Sequence, residues 1–270
     1  MRRLLAVMLA VPLLLVALGA GYLYYKLPKR SGSLALSGLS AEVQVHYDER
    51  GVPHIYAENQ TDMYRALGFV HAQDRLFQME IMRRLANGEL AEVLGEDLVN
   101  IDKLFRTLRL AEHARQYVAN IPADSPALAA MQAYLAGVNH YQATRPAPVE
   151  YDLLGIQPRP FTPEDTVAIA GYLAYSFAAA FRTEPVLSFI QQELGNDYLD
   201  IFPLDSPSTG AVSQLPQDSL QALQQVARLS HSALLDAGLP QFEGSNAWAI
   251  AGAHTASGLP ILAGDPHITF

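Results

Sequence analysis

The spacing of apolar residues changes twice along this chain, and this change constrains the fold more than any other feature of the sequence. From Thr61 onward apolar residues recur at helical intervals, and the pattern ends at Asn87-Gly88. Further helices are predicted over residues 102–118, over residues 126–141 and from Thr162 onward. Alternating residues predict a pair of strands at 41–47 and 52–57. Residues 31–204 are therefore predicted to be mostly helical, with a strand pair at their start.

The sequence after residue 204 has a different character. Residues 205–244 are typical of a spacer: residues 205–210 favour a turn, and residues 214–235 are rich in Gln, Ser, Ala and Leu and predict a weak amphipathic helix. Two apolar runs, at 247–251 and 259–263, then predict strands. The expected fold class is α+β. Because a sheet that opens this late is expected to be incomplete, we expect further sheet-forming chain after Phe270.

Residues 1–30 form a third kind of segment. Positions 4–25 are uncharged and almost wholly apolar, and the five charged residues around them are all basic. In a helix this stretch would reach roughly 30 Å, which is enough to cross a bilayer. No cleavage site of the Ala-x-Ala kind is clear at 17–21, so we favour an uncleaved signal anchor over a removed signal peptide. Either alternative predicts a membrane-anchored or exported protein.

The composition excludes several classes of function. The chain has 27 Asp and Glu against 18 Lys and Arg, and this acidic balance argues against a nucleic-acid partner. It contains no Cys, so thiolate catalysis, Cys-based zinc sites and disulfides are excluded. The motifs Gly-x-Ser-x-Gly and His-Glu-x-x-His, the Walker loop and the dinucleotide fingerprint are also absent. No organic cofactor is predicted.

The remaining candidate for chemistry is Gly244-Ser245-Asn246. Taken alone, Gly-Ser-Asn before a strand is most often a turn. Here, however, it lies between a spacer-like segment and the first strand of a new sheet, and this context favours a functional interpretation.

Two separated blocks of sequence support that interpretation. The first comprises residues 48–55, which read DERGVPHI, and residues 68–80, which read GFVHAQDRLFQME. The second comprises residues 244–251, GSNAWAIA, and residues 255–267, TASGLPILAGDPH. Together they resemble the penicillin acylase (penicillin amidase) family of N-terminal-nucleophile hydrolases, over residues 38–270. The resemblance implies an αββα sandwich, in which residues 31–204 belong to the α chain, 205–244 to a spacer peptide and 245–270 to the start of the catalytic β chain.

The resemblance also implies that the precursor cuts itself between Gly244 and Ser245. Gly244 suits this reaction because a residue without Cβ allows close and strained backbone approach. The freed α-amino group of Ser245 has an ordinary pKa of about 7.7 to 8.0, so it can act as general base for its own hydroxyl. One residue would thus supply both nucleophile and base, while Asn246 is expected to shape the start of the strand.

His267 is the second candidate for catalysis. Related cephalosporin and acyl-homoserine-lactone acylases place a histidine near the nucleophile at this distance in sequence, and there His267 would orient the α-amino group. The alternative is a histidine that merely ends an Asp-Pro-His turn. The donors of the oxyanion hole are implied to lie further along the β chain, beyond Phe270.

Further residues are implied to contribute from the α chain. Tyr175, Phe177 and Phe181 form an aromatic run where the family's α chain lines its acyl pocket, although an aromatic stripe on a helix is also typical of a core. Glu184 resembles a glutamate that helps to hold a structural calcium ion, and the alternative is a solvated glutamate. His71, Asp74 and Arg75 are expected to form a buried polar lock rather than a metal site.

The predicted function is therefore that of a self-processing acylase in the bacterial cell envelope, on the periplasmic side. It would hydrolyse a linear amide bond in a small N-acyl amide through Ser245. One alternative is an acyl-homoserine-lactone or cephalosporin-type acylase. The alternative from another class is a non-catalytic envelope protein that keeps the fold as a binding or scaffold module. We expect the 270-residue chain to be inactive without the downstream part of the β chain.

Overall fold

The structure of this protein is a computed structural model. It describes the backbone of residues 2–177, 179–195, 197–198, 221–222, 225–226, 229 and 244–267. Within these ranges it describes all side chains except those of residues 2–10, 177, 179–185, 244–246 and 265–267. The predicted spacer and its weak helix therefore lie almost wholly outside the described residues.

Helices make up most of the described chain. They are α1 (Arg2–Lys26), α2 (Gln60–Asn87), α3 (Ala91–Leu94), α4 (Val99–Leu108), α5 (Leu110–Ala119), α6 (Pro126–Thr144), α7 (Val149–Leu154), α8 (Pro163–Phe177) and α9 (Ala179–Leu194). Short 3-10 turns lie at Glu96–Leu98 and Gly252–His254. The strands form two antiparallel hairpins, β1 (Gln44–Tyr47) with β2 (Pro53–Tyr56) and β3 (Gly244–Ile250) with β4 (Ile261–His267). The predicted α+β class is confirmed.

Helix α2 begins and ends at residues that the sequence marks clearly. The side chain of Asn59 accepts a hydrogen bond from the amide of Asp62 at 2.9 Å, which satisfies one of the free amides of the first turn. Gly88 ends the helix with a left-handed φ of 67°, and a Cβ there would lie 2.7 Å from the carbonyl oxygen of Asp102. Since only glycine meets both conditions, the predicted end at Asn87-Gly88 is confirmed.

The single helix predicted over residues 102–118 is wrong. The chain instead forms α4 and α5, which meet at Arg109, where φ is 57°. No glycine or proline marks the break in the sequence. Helix α4 packs mainly against α2, whereas α5 packs mainly against α8. The break lets the two halves follow different neighbours, so its cause is tertiary packing rather than local propensity.

The buried core forms two clusters along α2. The first surrounds the C-terminal end of α2 and comprises Leu85, Ala86, Leu90, Ile101, Leu104, Phe105, Ala114, Ala168 and Tyr172. The second surrounds the middle of α2 and comprises Phe69, Ala72, Leu76, Leu135, Val138, Tyr141, Tyr151, Ile156 and Phe161. Burial of a large apolar side chain contributes about 2 kcal/mol. Because α2 takes part in both clusters, it is the element on which the other helices are assembled.

Polar contacts hold the segment between α1 and β1 against α2 and α6. The carboxylate of Asp62 is buried and accepts hydrogen bonds from the hydroxyl of Ser40 at 2.6 Å and from its amide at 3.1 Å. The ring nitrogens of His140 contact Ser37 Oγ at 3.0 Å and the carbonyl oxygen of Ala35 at 3.1 Å. These contacts fix the path of the chain into β1.

The N-terminal helix α1 contacts the rest of the chain near its C-terminal end. Asp152 of α7 accepts hydrogen bonds from the hydroxyl of Tyr22 and the ammonium group of Lys26. Across the residues searched, which are those that the structure describes, no helix is both long enough and apolar enough to cross a membrane. The membrane interpretation of residues 4–25 stays a prediction.

Candidate processing site and its surroundings

The predicted processing junction lies at the start of a strand. β3 begins at Gly244, and its antiparallel register pairs Gly244 with His267 and Ser245 with Pro266. The Gly244–Ser245 peptide therefore lies directly across from the Pro266–His267 peptide. The alternative interpretations as turns, for Gly-Ser-Asn and for Asp-Pro-His, are wrong because both tripeptides lie within β3 and β4.

The register also places positions 245 and 267 relative to each other. Directly opposed positions of an antiparallel pair share a face, and successive positions alternate between faces. Position 267 therefore shares a face with Gly244, whereas Ser245 shares a face with Pro266. The side chains of Ser245, Asn246 and His267 lie outside the described residues. The catalytic roles of Ser245 and His267 stay predictions.

The connection between β3 and β4 is compact, and this holds the register. A Cβ on Gly252 would come 2.2 Å from the carbonyl oxygen of Gly258, so only glycine fits there. The hydroxyl of Thr255 lies 3.0 Å from the carbonyl oxygen of Gly252 and 2.8 Å from that of Leu259. Since hairpin register depends on the geometry of the loop, this connection sets the pairing at Gly244 and Ser245.

Large apolar side chains of the hairpin are exposed. Trp248 is 53% exposed on β3, and Leu262 is 81% exposed on β4. An isolated two-stranded sheet is at best marginally stable in water and needs a further packing surface. These side chains are consistent with a sheet that further strands would cover.

The predicted acyl-pocket residues lie at the end of α8 and the start of α9. Tyr175 is half-buried, and its ring packs edge-on against Phe105 of α4 with 5.6 Å between ring centroids. Tyr172 packs against the same ring at 5.5 Å, so Tyr175 lies at the border of the first core cluster. The side chains of Phe177 and Phe181 lie outside the described residues. The pocket role of all three aromatic residues stays a prediction.

The predicted calcium ligand cannot be placed in a ligand set. The side chain of Glu184 lies outside the described residues. Within the part of the chain that the structure describes, no three His, Asp or Glu side chains come together as a metal site. The calcium role of Glu184 stays a prediction.

His71, Asp74 and Arg75 in the first sequence block do not form the predicted buried polar lock. His71 contacts the hydroxyl of Tyr134 at 3.1 Å, and partial desolvation of the imidazole lowers the pKa of His71 although the charge of Asp74 opposes this effect. Asp74 pairs with Arg30 at 2.9 Å, which ties α2 to the segment before β1. Arg75 lies at a kink, with non-helical φ and ψ of −137° and 15°. These residues line the surface of α2.

The buried polar lock lies one to two turns further along α2, and sequence reasoning missed it. Glu80 and Arg83 are completely buried, and Arg84 is 8% exposed. The carboxylate of Glu80 binds the guanidinium groups of both arginines. A signal was present in the sequence, because Glu-x-x-Arg-Arg places three charges at positions i, i+3 and i+4, next to the apolar residues Leu76 and Leu85.

The mostly helical α+β architecture and the likeness to a solved penicillin G acylase place this chain in the N-terminal-nucleophile hydrolase fold class. The chain belongs to the penicillin amidase family, whose model matches residues 42–270.

Curated relatives agree with this assignment. The chain is 40% identical, over 258 residues, to the penicillin acylase 2 proenzyme of Pseudomonas sp. (strain SE83), a match that covers 90% of this chain and 32% of the relative. It is 30% identical, over 263 residues, to the acyl-homoserine lactone acylase QuiP of Pseudomonas aeruginosa, with coverage of 90% and 29%. The chain thus spans about a third of the length of the curated relatives it matches.

A solved structure is similar to part of the chain. It is the thermostable penicillin G acylase from Alcaligenes faecalis, with 28% identity and a TM-score of 0.51. The match covers 65% of this chain and 97% of the solved chain. The solved chain is therefore matched almost from end to end by about two thirds of the present one.

Proposed function

We propose that this chain is the N-terminal part of the precursor of an acylase that hydrolyses a linear amide bond. In this proposal the precursor cuts itself between Gly244 and Ser245, and the new N-terminal Ser245 is the nucleophile. The observation that carries the proposal is the position of Gly244-Ser245-Asn246 at the start of β3, in a chain that belongs to the penicillin amidase family. The relative named a proenzyme and the shorter solved chain support processing into separate chains.

The self-cleavage step follows from the chemistry of a serine hydroxyl next to a peptide carbonyl. Ser245 Oγ attacks the carbonyl carbon of Gly244, the C–N bond breaks, and the α-amino group of Ser245 takes up a proton as the amide becomes an ester. Water then hydrolyses the ester, which leaves a carboxylate on Gly244 and a free Ser245 hydroxyl. Gly244 favours the attack because it has no Cβ to block the approach.

The same hydroxyl then acts on substrate. The free α-amino group of Ser245 takes the hydroxyl proton while Oγ attacks the acyl carbon, and the amine leaves with that proton. Water releases the acyl group from the resulting ester. Donors aimed at the developing oxyanion contribute about 3 kcal/mol each in comparable sites. We place them in the downstream part of the β chain, which is the partner that this chain needs for activity.

The proposed substrate is a small N-acyl amide of the penicillin type. An acyl-homoserine lactone or a cephalosporin-type amide is the alternative, and relatives named for the first of these are also similar to the chain. An apolar wall at Tyr175, Phe177 and Phe181 would select an apolar acyl group. Rates on one amide of each kind, measured with the whole processed protein, distinguish the three.

The central test concerns processing of the full-length precursor. We expect two chains on a denaturing gel, with the larger starting Ser-Asn-Ala-Trp by N-terminal sequencing. Ser245→Ala should give one uncut chain, while Ser245→Cys should retain some cleavage because a thiol is also a nucleophile. Ser33→Ala, at an exposed serine far from the junction in sequence, is the control and should process normally. A single band for the wild type would instead favour a non-catalytic envelope protein.

Two further proposals concern the localisation of the protein and a structural calcium ion. Residues 4–25 would direct the precursor to the cell envelope, either as an uncleaved anchor or as a removed signal, with the acylase on the periplasmic side. Fractionation and N-terminal sequencing of the first chain decide between these outcomes.

Glu184 would supply one ligand to a structural calcium ion. Metal analysis of the processed protein, comparing the wild type with Glu184→Gln, tests this.

A further inference from the structure

The buried charges on α2 meet at one carboxylate. Glu80 Oε1 accepts a hydrogen bond from Arg84 Nε at 2.7 Å, and Glu80 Oε2 accepts one from Arg83 Nη2. Glu80 and Arg83 are 0% exposed. Desolvation of such charges costs about as much as their attraction returns, so apolar residues of similar volume often give equal or greater stability. Stability alone therefore does not explain these three residues.

Arg83 reaches the segment that precedes α8. Its Nη1 donates to the carbonyl oxygens of Arg159 at 2.9 Å and Pro160 at 3.2 Å, and it lies 3.7 Å from a carboxylate oxygen of Asp165 in the first turn of α8. The guanidinium also stacks on the ring of Phe161 at 3.9 Å. One buried cation thus fixes the backbone at which α8 begins.

Arg84 reaches in the other direction, toward α4. Its Nη1 lies 3.0 Å from Glu92 and 3.4 Å from the carbonyl oxygen of Glu89. Asp102 of α4 accepts the amides of the adjacent residues Leu90 and Ala91 at 2.8 and 2.9 Å. Arg84 therefore contacts residues 89–92, the same short segment that Asp102 of α4 binds.

Helices α4 and α8 contact each other near Tyr175. Phe105 of α4 contacts the rings of Tyr172 and Tyr175 of α8 at 5.5 and 5.6 Å. Tyr175 lies about 15 Å along α8 from Asp165, the α8 residue whose carboxylate contacts Arg83. Both helices that determine the position of Tyr175 are thus connected through an arginine to Glu80.

We propose that Glu80, acting through Arg83 and Arg84, is a positioning residue that sets the acyl-chain specificity of the enzyme. The proposal rests on the function proposed above, in which the end of α8 lines the acyl pocket. Glu80 touches no reacting group and acts only by fixing where α8 and α4 present Tyr175. A misplacement of about 1 Å is enough to change catalytic parameters strongly, so a loosened anchor at Glu80 changes the fit of the acyl chain.

The decisive variant replaces all three charges, as E80L/R83M/R84M, in the full-length precursor. This replacement removes the three buried charges together, while the carbonyl oxygens of Arg159 and Pro160 and the carboxylate of Asp165 lose one contact each, so its thermal midpoint should lie close to that of the wild type. We expect self-processing to continue, KM for the best N-acyl amide to rise about tenfold with kcat within about threefold, and the preference among acyl chain lengths to change. Hydrogen exchange at 159–177 should become faster.

Two further variants complete the test, a milder substitution in case the triple variant does not fold and a control. Arg83→Lys keeps the charge but loses the planar fork, so it should change KM in the same direction by a smaller factor. Glu112→Leu is the matched control, because Glu112 pairs with Arg109 at the same i, i+3 spacing but in contact with solvent, with 67% of the Arg109 side chain and 36% of the Glu112 side chain exposed. It should leave KM, chain-length preference and exchange at 159–177 unchanged.

The outcomes separate this inference from the function on which it rests. A stable triple variant with wild-type KM, wild-type chain-length preference and wild-type exchange would overturn the positioning role. If the wild-type precursor is processed or folded but hydrolyses no amide, the proposed function fails. In that case the specificity role of Glu80 fails with it. Hydrogen exchange at 159–177 then still tests the structural part of the inference: if exchange in the triple variant equals that of the wild type, Glu80 does not anchor α8.

Discussion

Gly68 of α2 and Gly137 of α6 each lie against the backbone of the other helix. A Cβ on Gly68 would come 1.9 Å from the carbonyl oxygen of Tyr134, and a Cβ on Gly137 would come 1.9 Å from that of Arg65. The contact is reciprocal, and α2 and α6 form the most extensive helix pair among the described elements. These two glycines therefore set how closely the two helices pack.

Gly68→Ala and Gly137→Ala should each destabilise the protein by about 3 kcal/mol, because a backbone atom cannot move aside as a side chain does. The control is Gly171→Ala in α8, where the nearest atom to the new Cβ is Leu110 Cδ2 at 3.4 Å. That change should be neutral or stabilise by up to about 1 kcal/mol, because alanine is the better helix former. Urea denaturation measures all three. Equal midpoints for Gly68→Ala and Gly171→Ala would contradict the close contact.

Asp62 should make stability depend on acid pH. Hydrogen bonds from the Ser40 hydroxyl and from Asn59, with the amides of Ser40 and Ala41, lower the pKa of Asp62 to about 2. The unfolded carboxyl has a pKa of about 3.9, so the stabilisation is complete above that pH and is lost as the pH falls from about 4 to about 2.

Asp62→Asn should therefore be less stable than the wild type at pH 7 and at pH 5, and the difference should narrow at pH 3. Denaturant midpoints at the three pH values measure this. Asp97→Asn, at an exposed carboxylate, should show the wild-type pH dependence. A difference for Asp62→Asn that widens toward pH 3 would contradict the assigned direction of the pKa shift.

Asn139 should contribute to stability through two hydrogen bonds to one buried residue. Its side chain donates to the carbonyl oxygen of Phe161 at 2.9 Å and accepts from the amide of Phe161 at 2.8 Å. Asn139→Ala leaves both backbone groups without this partner and should cost about 2 kcal/mol. Asn120→Ala, which removes one exposed bond to the carbonyl oxygen of Gln116, should cost less than about 1 kcal/mol. Thermal unfolding that ranks the two variants in the reverse order would refute this account.

Gly244 should control the rate of self-cleavage if the proposed function is right. Gly244→Val adds a branched side chain next to the attacked carbonyl, so processing should slow at least about tenfold while the hairpin remains intact. Gly264→Ala is the control, since Gly264 lies on β4 and a Cβ there meets no atom within 4 Å. Pulse-chase analysis of the full-length precursor gives the rates. Unchanged cleavage in Gly244→Val would place the scissile bond elsewhere.

Local signals in the sequence predicted much of the secondary structure. The end of α2 at Gly88, the start of α8 at Pro163 and the two hairpins follow from residues that act on their own neighbours, through a cap, a fixed φ or a two-residue alternation. The break at Arg109 could not be predicted in this way, because no residue there disfavours a helix and the cause is packing against α2 and α8.

In the candidate site, too, some features follow from the sequence and others only from the folded structure. The sequence by itself determined the family, the candidate nucleophile Ser245 and its neighbours, because these depend on the identity and order of residues along the chain. Only the tertiary structure decided that position 244 pairs with position 267 in the register of β3 and β4, that Glu80 binds two buried arginines, and that Gly68 and Gly137 lie where α2 and α6 pack backbone against backbone. Such contacts join residues far apart in the chain, and burial and backbone distance, which select them, exist only after folding.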